Sequence, residues 1–252
     1  MWQAASSLPY CGAAPHPGEL IVRFNLDPVL ILALVLFCGA HLWAVRRKTR
    51  RVQAAALTGW IIASAAFLSP LCALSVALFS ARVSQHMVLI LASAPLIAAA
   101  LPRGRPHAYV PRLWIGAAVF SAALWFWHMP GPYEATFGPA TVYWAMHVTL
   151  FGSAIFLWRE LIDHPPPQTA QALAAGMTVF VLMGLLGAVI AFADRPMYLW
   201  HLFTTQPFGL TALQDQELGG TIMWVPAIGL FLWSALRSVG QALRSLERTR
   251  PA

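Results

Sequence analysis

The chain alternates between long apolar runs and short polar interruptions. Windows free of charge cover residues 28–45, 52–81, 83–102, 113–133, 135–158, 164–193 and 218–236. A helix rises about 1.5 Å per residue and the hydrocarbon layer is about 30 Å thick, so each window can supply one crossing of about 20 residues. The two longest windows contain helix breakers, Pro70 in the second and Pro165-Pro166-Pro167 in the sixth, which mark loops. An eighth window, 196–214, carries Pro196, Thr204, Thr205, Gln206, Pro207, Gly209 and Gln214 and is too polar to cross well. It reads as a loop with an interfacial helix. The pattern predicts an all-α, polytopic membrane helical bundle of about seven transmembrane helices.

Charge sets the expected orientation. With the N-terminus outside and seven crossings, the inner loops and tail hold Arg46, Arg47, Lys48, Arg50, Arg51, Arg103, Arg105, Arg112, Arg159, Arg237, Arg244, Arg248 and Arg250. Only Arg23, Arg82 and Arg195 are then outside. That asymmetry is the positive-inside signal, and an eighth crossing would reverse the last four arginines. The expected organisation is an outer tail over 1–27, a seven-helix domain over 28–236 with an outer loop at 194–217, and a basic cytoplasmic tail over 237–252. Trp43, Trp114, Trp158 and Trp233 fall near the inner boundary and Trp127, Trp144, Trp200 and Trp224 near the outer one, a pattern like aromatic belts.

Composition agrees: 59% of residues are apolar and 10% charged, where soluble domains carry about 25% charged residues. The net charge of +7 does not imply nucleic acid, because the arginines cluster between apolar runs instead of lining one polar face. Residues 1–27 lack the basic start and apolar stretch of a signal peptide and read as an outer tail. Cys11, Cys38 and Cys72 make no metal-binding spacing. Cys38 reads as a small core residue, and a disulfide between Cys11 and Cys72, both on the expected outer side, is open.

Polar side chains inside membrane helices are costly and tend to be functional. His41, His107 and His164 fall near the inner face and read as headgroup-level or loop histidines. His86 opens the third span, His128 closes the fourth, and His147 lies about 9 Å into the fifth. Each has a methionine beside it: Met87, Met129 and Met146. Met197 and His201 fall in the outer loop, and Met223 near the outer end of the last span. Imidazole and thioether together suit copper, the thioether selecting Cu(I). Neighbouring residues on a helix point about 100° apart, so the histidines are the expected core ligands, with one methionine completing the shell. The plainer alternative is that methionines pack and histidines bond to neighbours. Acidic residues are also uneven, with Glu19, Asp27, Glu134, Asp194, Asp215 and Glu217 outside. They form a vestibule that concentrates cations, or else they cap helices and pair with Arg82 and Arg195. The only lysine, Lys48, lies in an inner loop, which excludes a retinal Schiff base. No P-loop, GxSxG or HExxH pattern is present, and nothing calls for an enzyme.

Ser84-Gln85-His86-Met87 followed by Ala94-Pro95-Leu96 resembles a segment of the CtaG-like (caa-type) cytochrome c oxidase assembly proteins, a polytopic membrane family. Trp127-His128-Met129-Pro130 with Tyr133, Met146-His147, and Asp215-Gln216 with Gly219-Gly220 and Ile222-Met223-Trp224-Val225-Pro226 resemble its other motifs, in order, across roughly residues 60–235. Two positions depart from the pattern: Arg82-Val83 stand where a further His-Met is expected, and Tyr143 where a histidine is expected. A cation beside Arg82 is unfavourable unless Asp194 or Asp215 pairs with it.

The resemblance implies a non-enzymatic factor of oxidase maturation in the bacterial cytoplasmic membrane. It would pass copper from His86, His128, His147 and a methionine to cytochrome c oxidase subunits or copper chaperones. Tyr133, Asp194, Asp215 and Gln216 would support the ligands or latch the outer loop. The rival readings are a scaffold of oxidase biogenesis without metal and a b-type haem or quinone protein with axial histidines. A transporter is weaker, since no ionisable residue sits at mid-membrane.

Overall fold

The computed structural model describes residues 8–101 and 109–248. Arg103, Arg105, His107 and Arg250 lie outside the described residues. Ten α-helices, joined by short 3₁₀ turns, make up the described chain. Six helical segments among the described residues are long and apolar enough to cross a membrane: Pro28–Val45, Arg50–Leu68, Phe79–Ala100, Val110–His128, Ala140–Ile162 and Thr169–Ala191.

Helix α1 (Pro28–Val45) begins where the Asp27 side chain accepts the Val29 N–H and Pro28 takes the first turn, a strong start because early helical N–H groups have no internal partner. It is uniformly apolar and only 22% buried, a peripheral helix that presents its sides to lipid. Helix α2 (Arg50–Leu68) ends at Ser69-Pro70. The short α3 (Leu71–Ala77) follows, and Leu78 adopts an extended conformation that breaks the chain before α4 (Phe79–Met87). One π-helical turn, Val88–Ser93, joins α4 to α5 (Ala94–Ala100). Together Phe79–Ala100 is 61% buried, the most enclosed of the six segments and the axis of the bundle. The widened turn leaves the Ile90 carbonyl to accept the Trp158 indole N–H at 2.8 Å.

Around this axis stand α6 (Tyr109–His128), the short α7 (Pro130–Ala135), α8 (Ala140–Ile162), α9 (Thr169–Ala191) and the long α10 (Ala212–Arg248). The window 196–214 contains only the 3₁₀ turns Leu199–Leu202 and Gln206–Phe208 before α10 begins, and no crossing. Helices α9 and α10 pack backbone to backbone: a Cβ on Gly220 would lie 2.6 Å from the Gly187 carbonyl oxygen. Only glycine permits that approach. Asp215, near the start of α10, accepts the backbone N–H groups of Phe79 and Ser80 and the Ser80 hydroxyl. It caps α4 and locks α10 to the axis.

Two expectations change in the structure, and the capping alternative for the outer acids gains support. Arg82 does not stand outside the bundle. The helix starts at Phe79, before the charge, and Arg82 is 1% exposed inside the bundle. Trp158 and Trp127 do not stand in a lipid-facing belt. Both are buried, the former on Ile90 and the latter donating to Thr149 Oγ1 at 2.8 Å. Most of the outer acids are committed to structure: Asp27 and Asp215 as caps, Glu134 as acceptor of the Leu199 N–H, Glu19 as partner of Arg23.

Candidate metal centre

His86 lies on α4, His128 ends α6 and His147 lies in the second turn of α8. The bundle brings their rings together. The His86 ring sits 5.5 Å from that of His128 and 5.3 Å from that of His147, edge-to-face in both cases. All three are buried, at 1%, 1% and 2% exposure.

Hydrogen bonding orients two of them. His128 Nδ1 bonds the Leu124 carbonyl at 2.7 Å and His147 Nδ1 bonds the Tyr143 carbonyl at 3.0 Å. A nitrogen facing a carbonyl must carry the proton, so each Nε2 keeps a lone pair. Among the described residues neither Nε2 has a protein partner, and neither nitrogen of His86 has one. Gln85 Oε1 and Arg82 Nε, on the same helix, are also buried and unpartnered. Unpaired buried polar atoms are rare and call for a ligand or a function. The rings of His128 and His147 both meet that of His86. The donor set fits a soft or borderline ion such as copper, although no three His, Cys, Asp or Glu side chains among the described residues already stand in a metal-holding geometry.

Of the candidate methionines, Met87, Met146 and Met223 are buried in the core, whereas Met129 is 50% exposed at the break between α6 and α7. Asp194 is exposed, with no ion pair to Arg82 among the described residues. Gln216 accepts the Met197 N–H at 2.6 Å and donates to the Ile190 carbonyl at 3.1 Å, holding the 192–211 connection against α9 and α10. Tyr133 bonds His201 Nε2 at 2.7 Å, while His201 Nδ1 faces the Ala77 carbonyl at 3.1 Å. Burial, aided by the charge of Arg82, pushes His201 down to about 3, so it is neutral and structural.

Sequence reasoning missed the cover of the site. Cys11 and Cys72 form a disulfide with Cα atoms 5.5 Å apart. The Tyr143 hydroxyl lies 3.5 and 3.7 Å from the two sulfurs. Tyr10 stacks on Tyr143 at 4.8 Å, and Tyr143 in turn packs on His147 at 4.3 Å. The Tyr10 hydroxyl donates to Asp27 at 2.5 Å. Burial and this bond push Tyr10 up to about 12, and the bond holds the Asp27 carboxyl below its ordinary value. The N-terminal segment is thus pinned over the end of the bundle that holds the histidines. The usable signal was the cysteine pair, but linear separation hides that both meet Tyr143.

Residues 35–245 match the model of the family described as cytochrome c oxidase caa3 assembly factor (Caa3_CtaG). The chain belongs to the caa3 cytochrome c oxidase assembly factor family. No curated protein and no solved structure matches it. As a member of this family with six long apolar helices, it is a multi-pass protein of the bacterial inner membrane and a factor of cytochrome c oxidase biogenesis, not an enzyme. Gln85 and His86 carry buried side-chain atoms without a hydrogen-bond partner among the described residues, and Asp215 and Gln216 tie α10 to α4 and to the 192–211 connection.

Proposed function

We propose that this family member takes up copper at His86, His128 and His147 and passes it to the oxidase or to a copper chaperone. The observation that carries the reading is the cluster of four unpartnered imidazole nitrogens at 5.3–5.5 Å ring spacing in the buried core. Neutral imidazoles with free lone pairs bind copper without first losing a proton. Met87, Met146, Met223 and Met129 are the candidates for a soft fourth ligand, the first three favoured by their burial. Release needs a weak or incomplete shell, and a loosely arranged set of donors suits transient cargo better than a closed structural site.

Topology supports delivery on the outer side. We read α10 as the seventh crossing, with the disulfide end outside and the arginine-rich loops in the cytoplasm. A disulfide belongs to that oxidising side. The partners are then the oxidase subunits that receive copper outside the membrane.

The scaffold reading keeps one observation in its favour, the lack of a ready-made metal geometry among the described residues. A haem reading has none, because rings packed edge-to-face at 5.3–5.5 Å leave no slot for a macrocycle between them. Elemental analysis of detergent-purified protein decides between cargo site and scaffold. About one copper in the wild type and none in a folded H86A/H128A/H147A variant is the expected result for a histidine-built site. Equal, negligible copper in both overturns the copper reading.

A further inference from the structure

Arg82 and His86 are four residues apart on α4 and therefore share a helix face. Arginine stays protonated in proteins, so Arg82 places a full positive charge beside the imidazoles, at 1% exposure. Its guanidinium lies 4.1 Å from the Phe137 ring centre and 5.3 and 6.0 Å from those of Tyr133 and Tyr143. One terminal nitrogen donates to Thr136 Oγ1, whose own hydroxyl is spent on the Tyr133 carbonyl. Nε has no partner.

No carboxylate pairs with Arg82 among the described residues; Asp215 is committed to Phe79 and Ser80. The neighbouring phenols are not anions either, with Tyr133 bonded to His201 and Tyr143 set against the disulfide. A buried charge without a counter-ion is unfavourable, and aromatic faces offset only part of it. Copper(I) held by neutral imidazoles would add a second positive charge to the same enclosed volume.

We infer that Arg82 forms the cationic wall of an anion subsite beside His86, which takes a small, soft, monovalent anion together with Cu(I). This rests on the copper reading above. A halide or a thiolate fits, since both bind soft Cu(I) and both neutralise Arg82. Free halide and the thiolate of a copper-donating molecule are the two sources. In the second case Arg82 selects cargo offered as a Cu(I)–thiolate complex, and the copper centre stays Cu(I) throughout, with no electron transferred.

The test uses the full chain in nonionic detergent, loaded with Cu(I) in bromide buffer or in halide-free buffer with a radiolabelled monothiol, then desalted. The expected result is about one bromide or about one thiol retained per copper in the wild type and in Arg82→Lys, which keeps a positive charge at position 82. Arg82→Gln should lose the anion and bind copper at least tenfold more weakly in whichever arm was positive. Retention in one arm alone identifies the source. Copper bound with neither anion, or with the anion kept in Arg82→Gln, overturns the inference and leaves the copper reading intact. Copper absent under all conditions overturns the copper reading. The chlorine-35 linewidth of metal-free protein then decides the anion site separately: it stands if the excess broadening is lost in Arg82→Gln and falls if there is none. If Arg82→Gln does not fold, the wild-type anion-to-copper ratio decides alone.

Discussion

Two histidine centres share one end of the bundle and differ in their hydrogen bonds. His201 is buried with both ring nitrogens engaged, by Tyr133 and by the Ala77 carbonyl. His86, His128 and His147 are equally buried, yet four of their six nitrogens face no protein partner among the described residues. Burial and residue type are the same in the two places, so neither separates structure from function. The unmet bonding capacity does. His201 completes a network and fixes the 199–202 turn to α3 and α7. The cluster of three leaves a network open and so has a place for something else.

The comparison makes its sharpest prediction in opposite signs. Replacing His86 by Leu removes two unpartnered buried nitrogens and should leave metal-free stability unchanged or raised by about 1–2 kcal/mol, while copper affinity falls more than tenfold. His201→Leu should instead cost about 1–3 kcal/mol, because Tyr133 loses its acceptor, and leave copper binding alone. Detergent-phase thermal unfolding read beside copper content measures both. If the two variants destabilise equally, the distinction between the centres is wrong.

Larger losses of stability are expected where the enclosure itself is cut. Asp215→Ala strands the Phe79 and Ser80 N–H groups at about 1–3 kcal/mol each, so about 3–5 kcal/mol is expected with the hydroxyl included. Denaturant unfolding should find it the least stable of these single variants. Cys11→Ser with Cys72→Ser releases a tether across 61 residues, worth about 2–4 kcal/mol. Accessibility of His147 to a water-borne imidazole reagent should rise in that variant, and no rise would show that the N-terminal segment does not cover the rings.

The smallest effect is a pH dependence at the cover. The Asp27 carboxyl is held below its ordinary 3.8 by Tyr10, so its contribution is present above that value and fades as pH falls through the folded-state value. Tyr10 is raised to about 12, so its own contribution holds up to its ordinary 10.0 and fades as pH climbs toward 12. Tyr10→Phe should abolish the acid-side loss of His147 protection while leaving neutral-pH copper binding unchanged. Hydrogen exchange or imidazole-reagent kinetics against pH would measure it.

Much of the architecture was legible along the chain because membrane crossing is a one-dimensional problem. Helix α1 occupies the window 28–45 because Asp27-Pro28 starts it and the Arg46–Lys48 cluster cannot enter hydrocarbon. The polar stretch 196–214 contains no span, for the same reason read in reverse. Charge was a poor guide at Arg82, where aromatic rings and Thr136 supply in three dimensions the partners that the linear pattern cannot reveal. Likewise the motifs flagged His86, His128 and His147, but nothing in their spacing said that the rings meet.

By itself the sequence determined that the chain is a bundle of apolar helices, where those helices lie, and which histidines stand toward one end. Length, charge and proline act locally, so they can be read from neighbours in the chain. Only the tertiary structure decided that the rings of His128 on α6 and His147 on α8 both meet that of His86 on α4, that Asp215 is a helix cap, and that Arg82 is buried on the same helix with no acid paired to it among the described residues. Those outcomes depend on which helix faces pack together. That choice is made by contacts such as Gly187 on Gly220 and Asp215 on Phe79, between residues 33 and 136 positions apart.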